Sequence, residues 1–183
     1  MFNLSGSVNS VSSSPDHRFS KEVQTEIKLV AGKGVEGDAH FGETIQHLSR
    51  IQVDPSQPNL RQVHLIQSEL FSELIQLDYS VMPGDLGENI TTIGLDLLAM
   101  PRSTVLKVGV TVRIGLTGLR NPCHQIDGFQ SGLLGAVLTK KEDGSLIRKA
   151  GVMGIVLSGG SIRPGDSIEV GLPEIPHRRL ERV

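Results

Sequence analysis

The 183-residue chain has one cysteine, one tyrosine and no tryptophan, and aromatic residues make up only 3% of it. A lone thiol, Cys123, excludes an intramolecular disulfide and any multi-cysteine zinc or iron–sulfur site within one chain. So few aromatic rings exclude a stacking platform for single-stranded nucleic acid. Neither sign of charge dominates: 18 Lys and Arg stand against 20 Asp and Glu, a net charge of −2. Such a chain carries no overall electrostatic footprint for nucleic acid or an anionic membrane. No stretch approaches the ~20 apolar residues of a membrane span. Residues 1–19 lack the basic start and apolar stretch of a signal peptide, so a soluble, cytoplasmic protein is expected.

What the chain has in excess is glycine, 21 residues, against a usual share of ~7%. Short alternating or apolar runs recur between these glycines, as expected of many short strands joined by turns. The runs are Leu4–Ser10, Glu22–Leu29, Gln62–Ile66, Asn89–Thr92, Val110–Leu116, Leu146–Arg148, Val152–Leu157 and Ser167–Val170. Helical signals are fewer. Ser68 is placed to cap a helix running through Glu69–Ile75, with Leu70, Phe71, Leu74 and Leu77 on one face. Leu95–Ala99 forms one short turn, Leu133–Thr139 a second small helix, and Val53–Asn59 a proline-containing loop. Strands linked by turns rather than by helical crossovers predict a mainly β fold, a closed or nearly closed barrel with a few short peripheral helices. One domain is expected over residues 1–183, with its core at about 5–170. The proline-rich start of the tail, residues 171–183, is expected to run extended over the surface.

Four clusters carry candidate chemistry. Cys123 follows Arg120-Asn121-Pro122 directly after a strand. A guanidinium three residues away favours the thiolate, which is both nucleophile and metal ligand. A buried, inert thiol remains the alternative. Gly32-Lys33-Gly34-Val35-Glu36-Gly37-Asp38-Ala39-His40 concentrates glycines whose N–H groups form either an anion nest or an ordinary tight turn. It lacks the G-K-[ST] of a Walker A loop. Pro83–Thr92 sets Glu88, Asn89 and Thr91 beside tight turns, as ligand-binding groups or as turn chemistry. Gly159–Asp166 reads as a structural turn into the last strand. His40, His47 and His64, with Asp38, match no standard zinc spacing.

Taken in order, Gly34–His40, Gly84–Thr92, Arg120-Asn121-Pro122-Cys123 and Ala150–Met153 leading to Ile162–Asp166 resemble the MOSC domain, the molybdenum-cofactor sulfurase C-terminal domain, in its small stand-alone form. The resemblance implies a β-barrel-like fold. It also implies a molybdenum cofactor (molybdopterin), with Cys123 as molybdenum ligand in a reductase of N-hydroxylated compounds. A sulfur carrier with a persulfide on Cys123, or a non-catalytic binding module, is the alternative. Thiolate suits a thiophilic metal. Arg120 suits the pterin phosphate, helped by the backbone of Gly34, Glu36, Gly37 and Asp38. Glu88, Asn89 and Thr91 suit the pterin edge. The partners implied are a small-molecule substrate and a redox partner or a cysteine desulfurase. Any pyridoxal phosphate chemistry would belong to that desulfurase. Nothing in the sequence assigns an oligomeric state.

Overall fold

A computed structural model describes residues 4–183, with residue 49 described by its backbone alone. In chain order the strands are β1 (Ser5–Ser13), β2 (Glu22–Gln24), β3 (Ile27–Val30), β4 (Gly34–Val35), β5 (Val63–Gln67), β6 (Ile90–Ile93), β7 (Val105–Val108), β8 (Val112–Leu119), β9 (Leu138–Lys140), β10 (Leu146–Arg148), β11 (Val152–Ser158), β12 (Gly160–Ile162) and β13 (Ser167–Gly171). Short helices α1 (Leu48–Ile51), α2 (Glu69–Ile75), α3 (Gln125–Phe129) and α4 (Leu133–Val137) lie between them.

Seven strands close into a barrel in the order β13–β7–β8–β11–β5–β6–β1, with β1 pairing back onto β13. The mainly β barrel expected from the sequence is what the chain forms. A ring of seven strands needs an odd number of parallel neighbours, because strand direction must return to itself around the ring. Here β5 and β6 are the parallel pair and the other six neighbours are antiparallel. A parallel pair demands a long crossover. Residues 68–89 supply it, carrying α2 and the glycine-rich run that ends at Glu88 and Asn89.

The register puts Val11, Ile90, Leu65, Val152 and Leu119 level across five neighbouring strands. The main core fills the barrel with Val8, Val63, Leu65, Leu106, Ile114, Leu116, Val152 and Ile168. A second core, with Ile66, Leu70, Phe71, Leu74, Ile126 and Leu133, packs the outer wall against α2, α3 and α4. Period-two alternation sorts β5 between environments. Val63 and Leu65 belong to the barrel interior, Ile66 to the second core, and His64 to a cleft on the outer wall.

Several expected boundaries move. The run Glu22–Leu29 is two strands in two sheets: β2 extends the barrel along β1, while β3 joins β12 and β4. Val110 is 88% exposed in the turn before β8, which starts at Val112 and runs on to Leu119. Helix α4 stops at Val137, and residues 138–140 pair with β10 as a hairpin. Ser68 makes no side-chain cap bond, because its backbone is already helical at φ −64°, ψ −21°. Leu77 is 57% exposed, since the helix ends before completing that face. Strands β4, β7, β9 and β12 and helices α1 and α3 were not expected from the runs. Within the tail, Leu180 enters the barrel core, and bridges join Arg179 to Pro101 and Arg182 to Leu119. No helix among the described residues is long and apolar enough to cross a membrane.

Candidate functional site

The chain leaves β8 at Leu119, and the Arg120 N–H donates to the Gly151 carbonyl at 3.0 Å. Pro122 is buried, and the Cys123 carbonyl accepts the first bond of the α3 turn from Ile126 N–H at 3.0 Å. Proline thus ends the strand path and presents Cys123 at a helix start. The thiol is half-buried, and its Sγ donates weakly to Gln125 Oε1 at 3.4 Å. The Arg120 side chain lies within Coulombic reach of Cys123. Its Cζ lies 5.7 Å over the Phe19 ring, and its Nη1 is buried with no hydrogen-bond partner. An orphaned guanidinium nitrogen of this kind signals a missing acceptor.

Beneath the cleft is a buried polar knot. Lys21 Nζ sits 2.8 Å from Asp38 Oδ2, with side chains 4% and 2% exposed. The same Oδ2 accepts from Ser14 N–H at 3.2 Å and Asn89 Nδ2 at 3.0 Å. Oδ1 accepts from His40 N–H at 3.0 Å and His40 Nδ1 at 3.3 Å. Burial works against the Asp38 charge, but the His40 hydrogen bond and the Lys21 charge outweigh it and hold the carboxyl well below its usual range. Burial pushes Lys21 down despite Asp38. Asn89 fills its amide by donating also to the Ser12 carbonyl and accepting from His64 N–H. Gly84, at φ +89°, makes this geometry available: its carbonyl accepts from Lys21 N–H at 2.8 Å, and a Cβ there would strike the Lys21 carbonyl oxygen.

Glu88 is fully buried. Its Oε1 accepts from Gly84 N–H at 2.6 Å and Thr91 Oγ1 at 3.1 Å, while Oε2 has no partner. Burial raises its pKa against those bonds. His64 is buried and donates Nε2–H to the Ala150 carbonyl at 2.7 Å; burial holds it neutral, well below the usual histidine range.

These groups surround two connected chambers. The inner one, about 100 Å³, is lined by Phe19, Lys21, Asn59, Arg61, His64, Asn89, Arg120 and Met153 among others. The outer one, about 470 Å³, is lined by His17, Leu48, Arg50, Asn121, Cys123 and His124. Arg18, His40, His47, Arg61, Arg120 and Gln125 border both. Among the described residues no Asp or Glu lines either chamber, although the chain as a whole is slightly acidic. Arg18 is paired with Asp16 and Glu22, and Lys21 with Asp38. Arg50, Arg61 and Arg120 have no carboxylate within 4 Å. Burial, reinforced by Arg50 and Arg120, lowers Arg61 to about 10, still charged at neutral pH. Burial and Arg61 push His47 down to about 4. The result is a cationic cleft that leads from an orphaned guanidinium to a thiol.

The expected site residues divide. Cys123, Arg120 and Asn89 reach the cleft. Asp38, Glu88 and Thr91 are buried behind its wall, engaged with protein partners. Gly34 is buried on β4, Glu36 is exposed and paired with Lys28 at 3.1 Å, and Gly37 borders open space. None of these three lines the cleft. Lys21, Arg50 and Arg61 were not singled out in the sequence, where none of them stands in a motif. Among the described residues no group of three His, Cys, Asp or Glu side chains is placed to hold a metal ion.

Fold and site together define a small closed β-barrel with a cationic, thiol-bearing cleft on its wall. The family model of the MOSC domain matches residues 36–169, and the chain belongs to that family. Among solved structures, the YUAD protein from Bacillus subtilis superposes with a TM-score of 0.75 at 20% identity, covering 95% of this chain and 100% of that one. YiiM from Escherichia coli gives 0.62 at 17% identity, covering 97% and 73%. YiiM from Geobacillus stearothermophilus gives 0.64 at 14% identity, covering 95% and 79%. At these identities the likeness concerns the fold. No curated protein sequence matches the chain.

Proposed function

We propose that the cleft binds a molybdenum cofactor, a phosphorylated pterin dithiolene, and that the protein is a reductase of N-hydroxylated compounds with Cys123 as molybdenum ligand. The observation that carries this reading is the buried, unpartnered Nη1 of Arg120 in a cleft lined by cations and by no carboxylate. The donor set fits the group. Arg50, Arg61 and Arg120 supply three charges without carboxylate partners, against roughly −2 from a phosphate monoester and −1 from a thiolate. A guanidinium binds phosphate through parallel N–H bonds, and thiolate is a soft ligand for a soft metal centre.

In this reading Arg61 and Arg120 hold the phosphate, and Asn89 forms part of the wall beside them. Asp38, Glu88 and Thr91 act from behind. Asp38 keeps Lys21 and Asn89 in place, and Glu88 supplies a fixed carboxyl within Coulombic reach of Arg120. When bound, the cofactor supplies an electron pair for reduction. The outer chamber gives a small substrate room beside Cys123. Electrons come from a separate redox protein.

The test is expression in a host that makes the cofactor, followed by molybdenum and pterin measured per chain. Near-stoichiometric molybdenum in wild type, lost in Cys123→Ala, is expected, along with reduction of an N-hydroxylated compound by the loaded protein. Molybdenum retained by Cys123→Ala would remove the ligand role. A second reading is favoured by the half-buried thiol opening on the larger chamber. In it, Cys123 carries a persulfide received from a cysteine desulfurase. One added sulfur atom on Cys123 after incubation with a desulfurase and cysteine, with no molybdenum in either protein, would select it.

A further inference from the structure

We infer that His40 is the proton-transferring residue of this cleft, oriented by Asp38 and presenting Nε2 to whatever reacts beside Cys123. The assignment starts from hydrogen-bond capacity. An ionised carboxylate only accepts. Asp38 Oδ1 lies 3.3 Å from His40 Nδ1 and 3.0 Å from the His40 N–H. The proton of the neutral ring is therefore on Nδ1, and Nε2 carries a bare lone pair. No protein group among the described residues bonds Nε2. The ring borders both chambers, and its side chain is 29% exposed, so the lone pair has access to the cleft.

The orientation is over-determined. Asp38 is anchored by Lys21, Ser14 N–H and Asn89, so it cannot swing away from the imidazole. The His17 ring packs edge-on at 5.3 Å between centroids and limits rotation from the other side. Asp38, Lys21, His17 and His47 act on the ring directly, Arg18, Arg61 and Arg120 border both chambers with it, and Arg50, Cys123 and His124 line the outer one. Burial keeps the ring neutral against the pull of Asp38. A neutral imidazole beside a fixed carboxylate accepts a proton transiently and releases it readily, the property a relay needs.

For the reacting group the inference rests on the cofactor reading above. Reduction of an N-hydroxylated compound consumes two electrons and two protons and yields the N–H compound and one water. The N–O bond breaks, an N–H bond forms, and the oxygen leaves as water. The electron pair comes from a separate reduced flavin- or haem-carrying protein. His40 Nε2 takes a proton from water in the outer chamber and passes it to the departing oxygen. Solvent supplies the second proton. The cations around the cleft cannot take this part: Arg61 and Arg120 stay charged, and Lys21 is bound to Asp38.

Two measurements decide it. Imidazole nitrogen NMR of the purified protein at pH 7 is expected to show the His40 proton on Nδ1 and a bare Nε2. The reverse tautomer overturns the inference. In cofactor-loaded protein, His40→Gln is expected to keep the wild-type molybdenum and pterin content while kcat falls about 10²- to 10⁴-fold, the usual share of a general acid–base group. KM is expected to stay within a few-fold, because the ring is not asked to bind. An unchanged kcat overturns the inference. If wild type never loads molybdenum, the cofactor reading fails on its own, and the tautomer measured in the unloaded protein still decides where the proton sits.

Discussion

The buried pair of Lys21 and Asp38 makes a sharp quantitative test of this architecture. Their side chains are 4% and 2% exposed and 2.8 Å apart. Removing one member of such a pair leaves an uncompensated charge and costs roughly 3–5 kcal/mol. For a domain whose total stability is about 5–15 kcal/mol, that is a large fraction. The two single variants are unequal. Lys21→Met leaves Asp38 with Ser14 N–H, Asn89 Nδ2 and two His40 donors, so its cost lies near the lower end, ~3 kcal/mol. Asp38→Ala removes the ion-pair partner of the buried Lys21 ammonium and leaves Glu88 acting only at Coulombic range, so its cost lies near the upper end, ~5 kcal/mol. The double variant, Lys21→Met with Asp38→Asn, removes both charges and keeps the shape. Against Lys21→Met and Asp38→Asn measured singly, it should be less destabilised than their sum by about 1–3 kcal/mol. Urea unfolding followed by far-UV circular dichroism, with m held constant across the set, reads all of these values. Single variants costing under ~1 kcal/mol, the range of an exposed pair, or a double equal to the sum of its singles, would refute the claim that this pair is buried and coupled.

Arg120→Ala should weaken inorganic phosphate binding about 10- to 150-fold, the loss of a charged hydrogen bond worth ~1.5–3 kcal/mol, read by calorimetric titration at fixed salt. Cys123→Ala should keep the wild-type melting temperature, because the half-buried thiol makes one weak contact; a large drop would mean the residue is structural. Gly151→Ala should lose about 1–3 kcal/mol or more, since φ is +90° and a Cβ would strike the Leu65 carbonyl oxygen; an unchanged denaturation midpoint would refute it. Stability should fall as pH drops below 6.5. His64 has a folded pKa well below its unfolded value, so it contributes stability above pH 6.5 that is lost as protons bind the unfolded chain first. Asp38 extends the loss below about pH 4 by the same sign. His64→Gln should lessen the fall of melting temperature below pH 6.5, leaving the share of His40 and His47, which are depressed in the same direction, and an unaltered profile would exclude His64 as a contributor.

Much of the barrel is legible in the chain because strand faces follow period-two burial. The runs at Gln62–Ile66, Val152–Leu157 and Ser167–Val170 correspond to β5, β11 and β13 within a residue or two. The run Glu22–Leu29 misled because apolar alternation says nothing about which neighbour a strand takes. The chain changes sheets at residues 25–26, where no glycine or proline marks the break. Short strands such as Gly34–Val35 and Gly160–Ile162 are too brief for any periodicity to register.

The candidate site was half legible. Cys123 and Arg120 announce themselves because a thiol and a guanidinium stand around a proline just after a strand. Lys21, Arg50 and Arg61 do not, since a lone cation outside any motif reads as a solvated side chain. Asp38 and Glu88 read as ligand groups in the sequence, yet folding buries both and engages them with backbone and side-chain donors. Composition and pattern by themselves determined a mainly β fold with one thiol three residues from an arginine. Only the tertiary structure decided that the slightly acidic chain sets three arginines without carboxylate partners, Arg50, Arg61 and Arg120, around one cleft. The physical reason is distance: Arg50 on α1 and Arg61, Arg120 and Cys123 on loops beside strands lie far apart in the chain and meet only when the barrel closes.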